Sequence, residues 1–178
     1  VDKKKSFASD YAVVDLGVGK NMVNAIRYWL RSFGLTDQND KPNKIADYLL
    51  GDKGVDKYLE DNGTYWLLHY LLLSTKRASI FNLIFSKFRI EKPEFTKEQL
   101  HNFLKKECEE NSPTSYNENT VNNDIGVFLR SYIQNIDKQD VEEEFSGFLN
   151  ELNIVKTYKD VNFEDKIVNY YKIENDYR

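Results

Sequence analysis

Between Lys20 and Phe33 the apolar residues Met22, Val23, Ile26, Trp29, Leu30 and Phe33 recur at spacings of three and four. That period, about 100° per residue, gathers them on one face of a helix and puts Lys20, Asn24, Arg27 and Arg31 on the opposite face. Gly34 follows directly, where a left-handed C-cap is needed. Upstream, residues 9–16 read as a shorter helix and Gly17 as a turn. A helix with defined ends and one fully apolar face must pack on other elements, so the segment demands a mainly helical fold with a shared core.

The same stretch resembles a helix-turn-helix. That pattern wants a small residue in the turn, an apolar residue after it and two apolar residues three apart in the second helix, and Gly17, Val18, Val23 and Ile26 fit. The polar stripe of helix 20–33 is then free to enter a DNA major groove. An ordinary helix with a solvated charged face has the same pattern, and burial of Arg27 and Arg31 in internal ion pairs would favour it. Gly17-Val18-Gly19-Lys20-Asn21 also looks like the end of a phosphate-binding loop. That motif needs a glycine where Val14 stands and a hydroxyl where Asn21 stands, so nucleotide binding is not expected.

The chain has 178 residues, enough for one sizeable domain or two small ones sharing a core. Aromatics make up 14% of it, which argues against disorder. It opens on Val1 with charged residues following, and we read it as a fragment of a longer protein. Cys108 is the single cysteine, which excludes an internal disulfide and a cysteine-rich zinc site, and a reducing, cytoplasmic setting is expected. The apolar run Trp66 to Leu73 is too short to span a bilayer, so no membrane role is expected. No cofactor motif is visible. The net charge of −4 speaks against wholesale nucleic-acid binding, but its distribution is uneven. Residues 1–35 carry six basic and three acidic side chains, whereas residues 93–178 carry ten and eighteen. If duplex DNA is the partner, the N-terminal end is the contact and the C-terminal end faces away or meets a protein.

Further along, 36–43 reads as a loop, 44–50 as a short helix ending at Gly51, and 54–59 as another helical turn. Thr64 is placed to cap an apolar helix to about Ser74, and 78–88 forms a second, so 64–88 reads as a buried helical hairpin. His69 lies in its middle. A buried, neutral, hydrogen-bonded histidine is the simpler reading than a catalytic one, since no nucleophile or carboxylate sits at a neighbouring helical position. After Pro93, Thr96 with Gln99 forms a capping box for a helix from Lys97 to about Glu110. Another helix is expected over 119–134 and one more over about 140–152. Residues 154–158 and 166–174 alternate like strands of a hairpin. Three helices and a hairpin is the order of a winged helix, giving a division at 1–92 and 93–178. The overall expectation is a mainly α fold with helix-turn-helix and winged-helix-like units around the hairpin helices, closed by a small C-terminal β-hairpin wing.

Candidate DNA-contacting residues are Lys20, Asn21, Asn24, Arg27, Tyr28 and Arg31, with Asn119, Asn122, Asn123 and Arg130 a second set on the 119–134 helix. No catalytic constellation is visible. Asp160, Glu164 and Lys166 are the one nuclease-like grouping, and on a tight turn such residues are more often solvent-facing turn formers. On residues alone, this is a binding module.

The run Leu16 to Trp29, with Gly63-Thr64-Tyr65-Trp66-Leu67-Leu68-His69-Tyr70 and Asn123 to Tyr132, resembles the bacterial domain of unknown function family 4007. Members resemble products of genes beside phosphoadenosine-phosphosulfate-reductase-like genes in DNA phosphorothioation and phage-defence clusters, where a related component is believed to nick DNA. The resemblance implies association with duplex DNA and with other proteins of such a complex, and it raises a metal-dependent nickase as an alternative. The family's usual opening segment, with an aromatic residue near His-Glu-Thr-Phe, has no counterpart before Ser9.

Overall fold

Helix α2 forms where the apolar spacing demands it, Lys20–Ser32, with Val23, Trp29 and Phe33 buried. Its end is a two-bond glycine stop: the Gly34 amide donates to the Arg31 carbonyl and the Leu35 amide to the Leu30 carbonyl. Gly34 sits at φ +62°, which a side chain resists, and an added Cβ would lie 3.0 Å from Thr75 Cγ2. The computed structural model describes residues 12–111, 116–133, 147–162 and 164–174. Two units divide at Ala78 and Ser79.

In the first unit, α1 (Ala12–Leu16) and α2 are joined through Gly17 at φ +67°. The expected start of α1 at residues 9–11 lies outside the described residues. The loop after α2 leads to α3 (Lys44–Leu50), capped by the Asn43 side chain, which accepts from the Ile45 and Ala46 amides. Residues 54–59 form turns rather than a further helix. Their organiser is the buried carboxylate of Asp56, which accepts from the Glu60 and Asp61 amides at 2.8 and 3.2 Å and from the Thr64 hydroxyl. Helix α4 (Asn62–Thr75) therefore begins three residues earlier than expected, with Asp61 instead of Thr64 as its cap and Thr64 committed to Asp56. Its C-terminus is tied to α2 by the Thr75 hydroxyl, which donates to the Ser32 carbonyl at 2.6 Å. Leu68, His69 and Leu72 are buried, while Tyr70 is exposed, so the apolar helix is not enclosed on all sides.

The second unit opens with α5 (Ser79–Leu83), which runs through a π-helical turn (Ile84–Phe88) into α6 (Arg89–Glu91). The wider turn keeps Phe81, Ile84, Phe85 and Phe88 on the buried side. Then come β1 (Glu94–Thr96), α7 (Lys97–Asn111), α8 (Glu118–Tyr132), a 3₁₀ turn (Asn150–Leu152), β2 (Val155–Val161) and β3 (Ile167–Ile173). The strands form an antiparallel sheet in the order β1-β3-β2, with Phe95 opposite Tyr171 and Tyr171 opposite Thr157. The capping box of α7 is present: the Thr96 amide donates to Gln99 Oε1 at 3.0 Å and the Gln99 amide to the Thr96 hydroxyl at 3.3 Å.

Three expectations change. The expected boundary after residue 92 falls at 78/79, because Phe81 and Phe85 pack on Phe128 and Tyr132 of α8 and Phe88 packs on Phe95. Helices 62–75 and 79–91 thus belong to different units instead of forming one hairpin core. The hairpin gains a third strand, β1, too short to show an alternation. Of the helix expected over 140–152, residues 140–146 lie outside the described residues, and 147–152 form a turn and a single 3₁₀ turn. The fold is mainly helical with this small sheet near its C-terminal end. Among the described residues no helix is long and apolar enough to cross a membrane.

Candidate functional site

The N-terminus of α2 has neither a side-chain cap nor an acidic residue in its first turn; Gly19 stands at its N-cap and Lys20 is its first residue. Backbone amides at this end carry the positive pole of the helix dipole, which a lysine opposes and an anion would complement. Lys20, Asn21 and Asn24 are exposed, and Tyr28 is 45% exposed, its ring edge-on to Trp29 at 5.4 Å. Positions 21, 24 and 28 recur at three and four, so these side chains form one continuous strip along the helix.

Arg27 and Arg31 do not extend that strip into solvent. Arg27 Nε lies 2.7 Å from one oxygen of Asp40 and Arg31 Nη2 lies 2.6 Å from the other. The Asp40 side chain is 3% exposed, and those of Arg27 and Arg31 are 31% and 17% exposed. Arg31 also donates to the Gln38 carbonyl at 2.7 Å. The expectation that the whole basic stripe faces solvent is therefore corrected, and at Arg27 and Arg31 the internal ion pairs are those of an ordinary structural helix, which leaves Lys20, Asn21, Asn24 and Tyr28 as the exposed part of the candidate face. A charge one turn from another on the same helix face is drawn to the nearest carboxylate, and the loop supplies one.

That loop is a local construction. Thr36 and Pro42 bridge its ends, and the Asp37 carboxylate accepts from the Asn39 and Lys41 amides at 2.8 and 2.9 Å. The Lys41 amide bond, above all, holds the Asp37 carboxyl below its ordinary range. Asp40 itself sits at φ +62°, a left-handed conformation that aspartate tolerates. Residues 37, 38, 39 and 41 are exposed, and Asp40 alone turns inward. Sequence reasoning assigned 36–43 to a polar loop and missed this role. Two arginines four apart, followed at once by an Asp-rich turn, were the available cue.

The second candidate set lies on α8. Asn119, Asn122 and Asn123 are exposed beside Glu118 and Asp124, whose carboxyl is raised by partial burial. Arg130 is half-buried and folded along its own helix, its Nη1 3.1 Å from where a Cβ on Gly126 would sit. Between Glu118 and Ile133 there is no other Lys or Arg, so this face is polar and mildly acidic.

Other chemistry is sparse. His69 is buried, edge-on to Trp66 at 5.9 Å. Lys166 pairs with Glu164 at 2.7 Å in solvent, and Asp160 accepts from the Val161 amide. Asn162 builds the hairpin turn by accepting from the Glu164 and Lys166 amides. Among the described residues no group of three or more His, Cys, Asp or Glu is placed to hold a metal ion.

The first unit is helical with an exposed Lys-Asn-Asn-Tyr helix face, and the second is helical with a three-stranded antiparallel sheet. Residues 1–176 match the family model described as "Protein of unknown function (DUF4007)", and the chain belongs to that family. No curated protein matches it. Two crystal structures of SspB share the fold. One has a magnesium ion bound, with 27% identity and a TM-score of 0.74, covering 97% of this chain and 53% of that chain. For the other the values are 27%, 0.72, 97% and 52%. The chain thus spans about half the length of these structures.

Proposed function

We propose that the chain is a duplex-DNA-binding component of a DNA phosphorothioation-linked modification or phage-defence system, contacting DNA through α2. The observation that carries the reading is the exposed strip of Lys20, Asn21, Asn24 and Tyr28 directly after a glycine turn whose φ of +67° suits a helix-turn-helix. Lys20 and the uncapped amides at the start of α2 meet a phosphate, and Asn21 and Asn24 reach base edges, where an amide pairs with adenine in two bonds. Membership in DUF4007 and likeness to SspB support the setting. In the second unit, the order helix, strand, helix, helix, hairpin with β1 beside β3 supports a winged-helix reading with α8 in the recognition position. The exposed face of α8 lacks the cations that phosphate contacts need, so α2 is the primary contact.

The test is fluorescence anisotropy with a labelled duplex over a salt series. Lys20→Ala with Asn24→Ala weakens binding and flattens the plot of log affinity against log salt. Unchanged affinity and slope in a folded double variant reject the site. A second reading, a protein-interaction module of the same complex, is favoured by the acidic flanks of α8 and by Val161 and Ile167, paired across the hairpin and exposed at 52% and 74%. It gives no duplex binding even at low salt.

A further inference from the structure

The carboxylate of Asp40 forms ion pairs with two guanidinium groups, one nitrogen of each lying 2.7 and 2.6 Å from a different oxygen, while Arg27 Nε, Arg31 Nε and Asp40 Oδ1 are buried without a hydrogen-bond partner. Two guanidiniums converging on a single oxyanion also suit a phosphate, which offers the same acceptor oxygens and more charge. We propose that Arg27 and Arg31 form a phosphate-binding fork that Asp40 occupies while the chain is free, and that a phosphodiester of DNA displaces the carboxylate. The inference rests on the DNA reading above for its ligand and on the fork's geometry for its site.

Three features make the carboxylate displaceable. The loop carrying it is joined at its ends by the Thr36–Pro42 bridge, so opening of the Asp37 turn at its tip lets Asp40 swing out without unpacking Leu35 or α3. The tip residues around it are exposed; the inward-turned carboxylate is held by the two arginines, and the backbone at Asp40 by its amide, which donates to the Asp37 carbonyl. The Arg27 side chain, 31% exposed, already offers an edge to solvent on the turn following Asn24. Once released, Arg27 and Arg31 extend the line of Lys20 and Asn24 along α2, the track a phosphate backbone needs.

Asp40→Asn removes the competing charge and keeps the side-chain shape. In the anisotropy assay it raises duplex affinity about tenfold and steepens the salt slope by roughly one to two, since each further neutralised phosphate adds about 0.9. Adding Arg27→Ala and Arg31→Ala abolishes the gain. A folded Asp40→Asn variant with wild-type affinity and slope, or a gain that survives loss of both arginines, overturns the fork. If neither wild type nor variant binds duplex, inorganic phosphate decides the matter. Shifts of the Arg27 and Arg31 side-chain nitrogen resonances in Asp40→Asn uphold the fork and discard DNA as its ligand, and their absence overturns both. Should the variant fail to fold, hydrogen exchange of the wild type replaces it. The Asp40 and Lys41 amides exchange faster in saturating inorganic phosphate if the latch opens, and unchanged rates overturn it.

Discussion

Replacing Asp40 by Asn should cost the first unit about 2–3 kcal/mol. Breaking a fully buried ion pair costs about 3–5 kcal/mol, chiefly because the remaining charge is left without a partner. Here the charges left behind belong to Arg27 and Arg31, whose side chains are 31% and 17% exposed and can recover part of their hydration. The Asn oxygen also keeps one acceptor for a guanidinium. Both corrections lower the figure, but the almost complete burial of the Asp40 carboxylate keeps it well above a surface pair. Both tryptophans, Trp29 and Trp66, lie in residues 1–78, so urea unfolding followed by tryptophan fluorescence reads this unit. The contrast is Glu164→Gln, which breaks a pair of equal length, 2.7 Å, between side chains 72% and 69% exposed, and should cost under about 0.5 kcal/mol by circular dichroism. A double-mutant cycle of Asp40→Asn with Arg31→Ala should return a coupling of about 1–2 kcal/mol. A loss below about 0.5 kcal/mol for Asp40→Asn, matching the surface pair, would refute the claim that burial sets the strength of this contact.

Three other outcomes are expected. The Thr64 hydroxyl, then the Glu60 and Asp61 amides, hold the Asp56 carboxyl below its ordinary 3.8 against the opposing effect of burial. A lowered folded value means that the stabilisation is present above about pH 4 and is lost as pH falls through it, so the gap between wild type and Asp56→Asn in urea should shrink from pH 6 to about pH 3; a constant gap would contradict the assignment. Gly34→Ala should cost about 1–2 kcal/mol by the same fluorescence assay, because it forces a side chain at φ +62° against a threonine already bonded to Ser32. Phe128→Ala, removing a fully buried ring 5.5 Å from Phe81 and 5.3 Å from Tyr132, should cost about 3–5 kcal/mol in urea followed by circular dichroism, and a loss under 1 kcal/mol would mean that the site collapses around the gap.

Local chemistry determined a good deal by itself. The limits of α2, α3, α7 and α8, the glycine stop at Gly34 and the Thr96–Gln99 box all depend on residues within one or two turns of each other, so spacing and capping preferences were enough. The family followed from runs of residues such as 16–29. Tertiary structure decided the rest. β1 is three residues long and is a strand only because β3 lies beside it. The helix of 79–91 belongs to the second unit because Phe81, Phe85 and Phe88 find aromatic partners there, which an apolar period alone leaves open. The basic stripe of α2 showed where Arg27 and Arg31 stand on the helix, but what they face was set by the backbone path of residues 36–42. That path turns Asp40 inward through a bridge and an aspartate turn, and nine residues of separation from Arg31 conceal the pairing from any helical period.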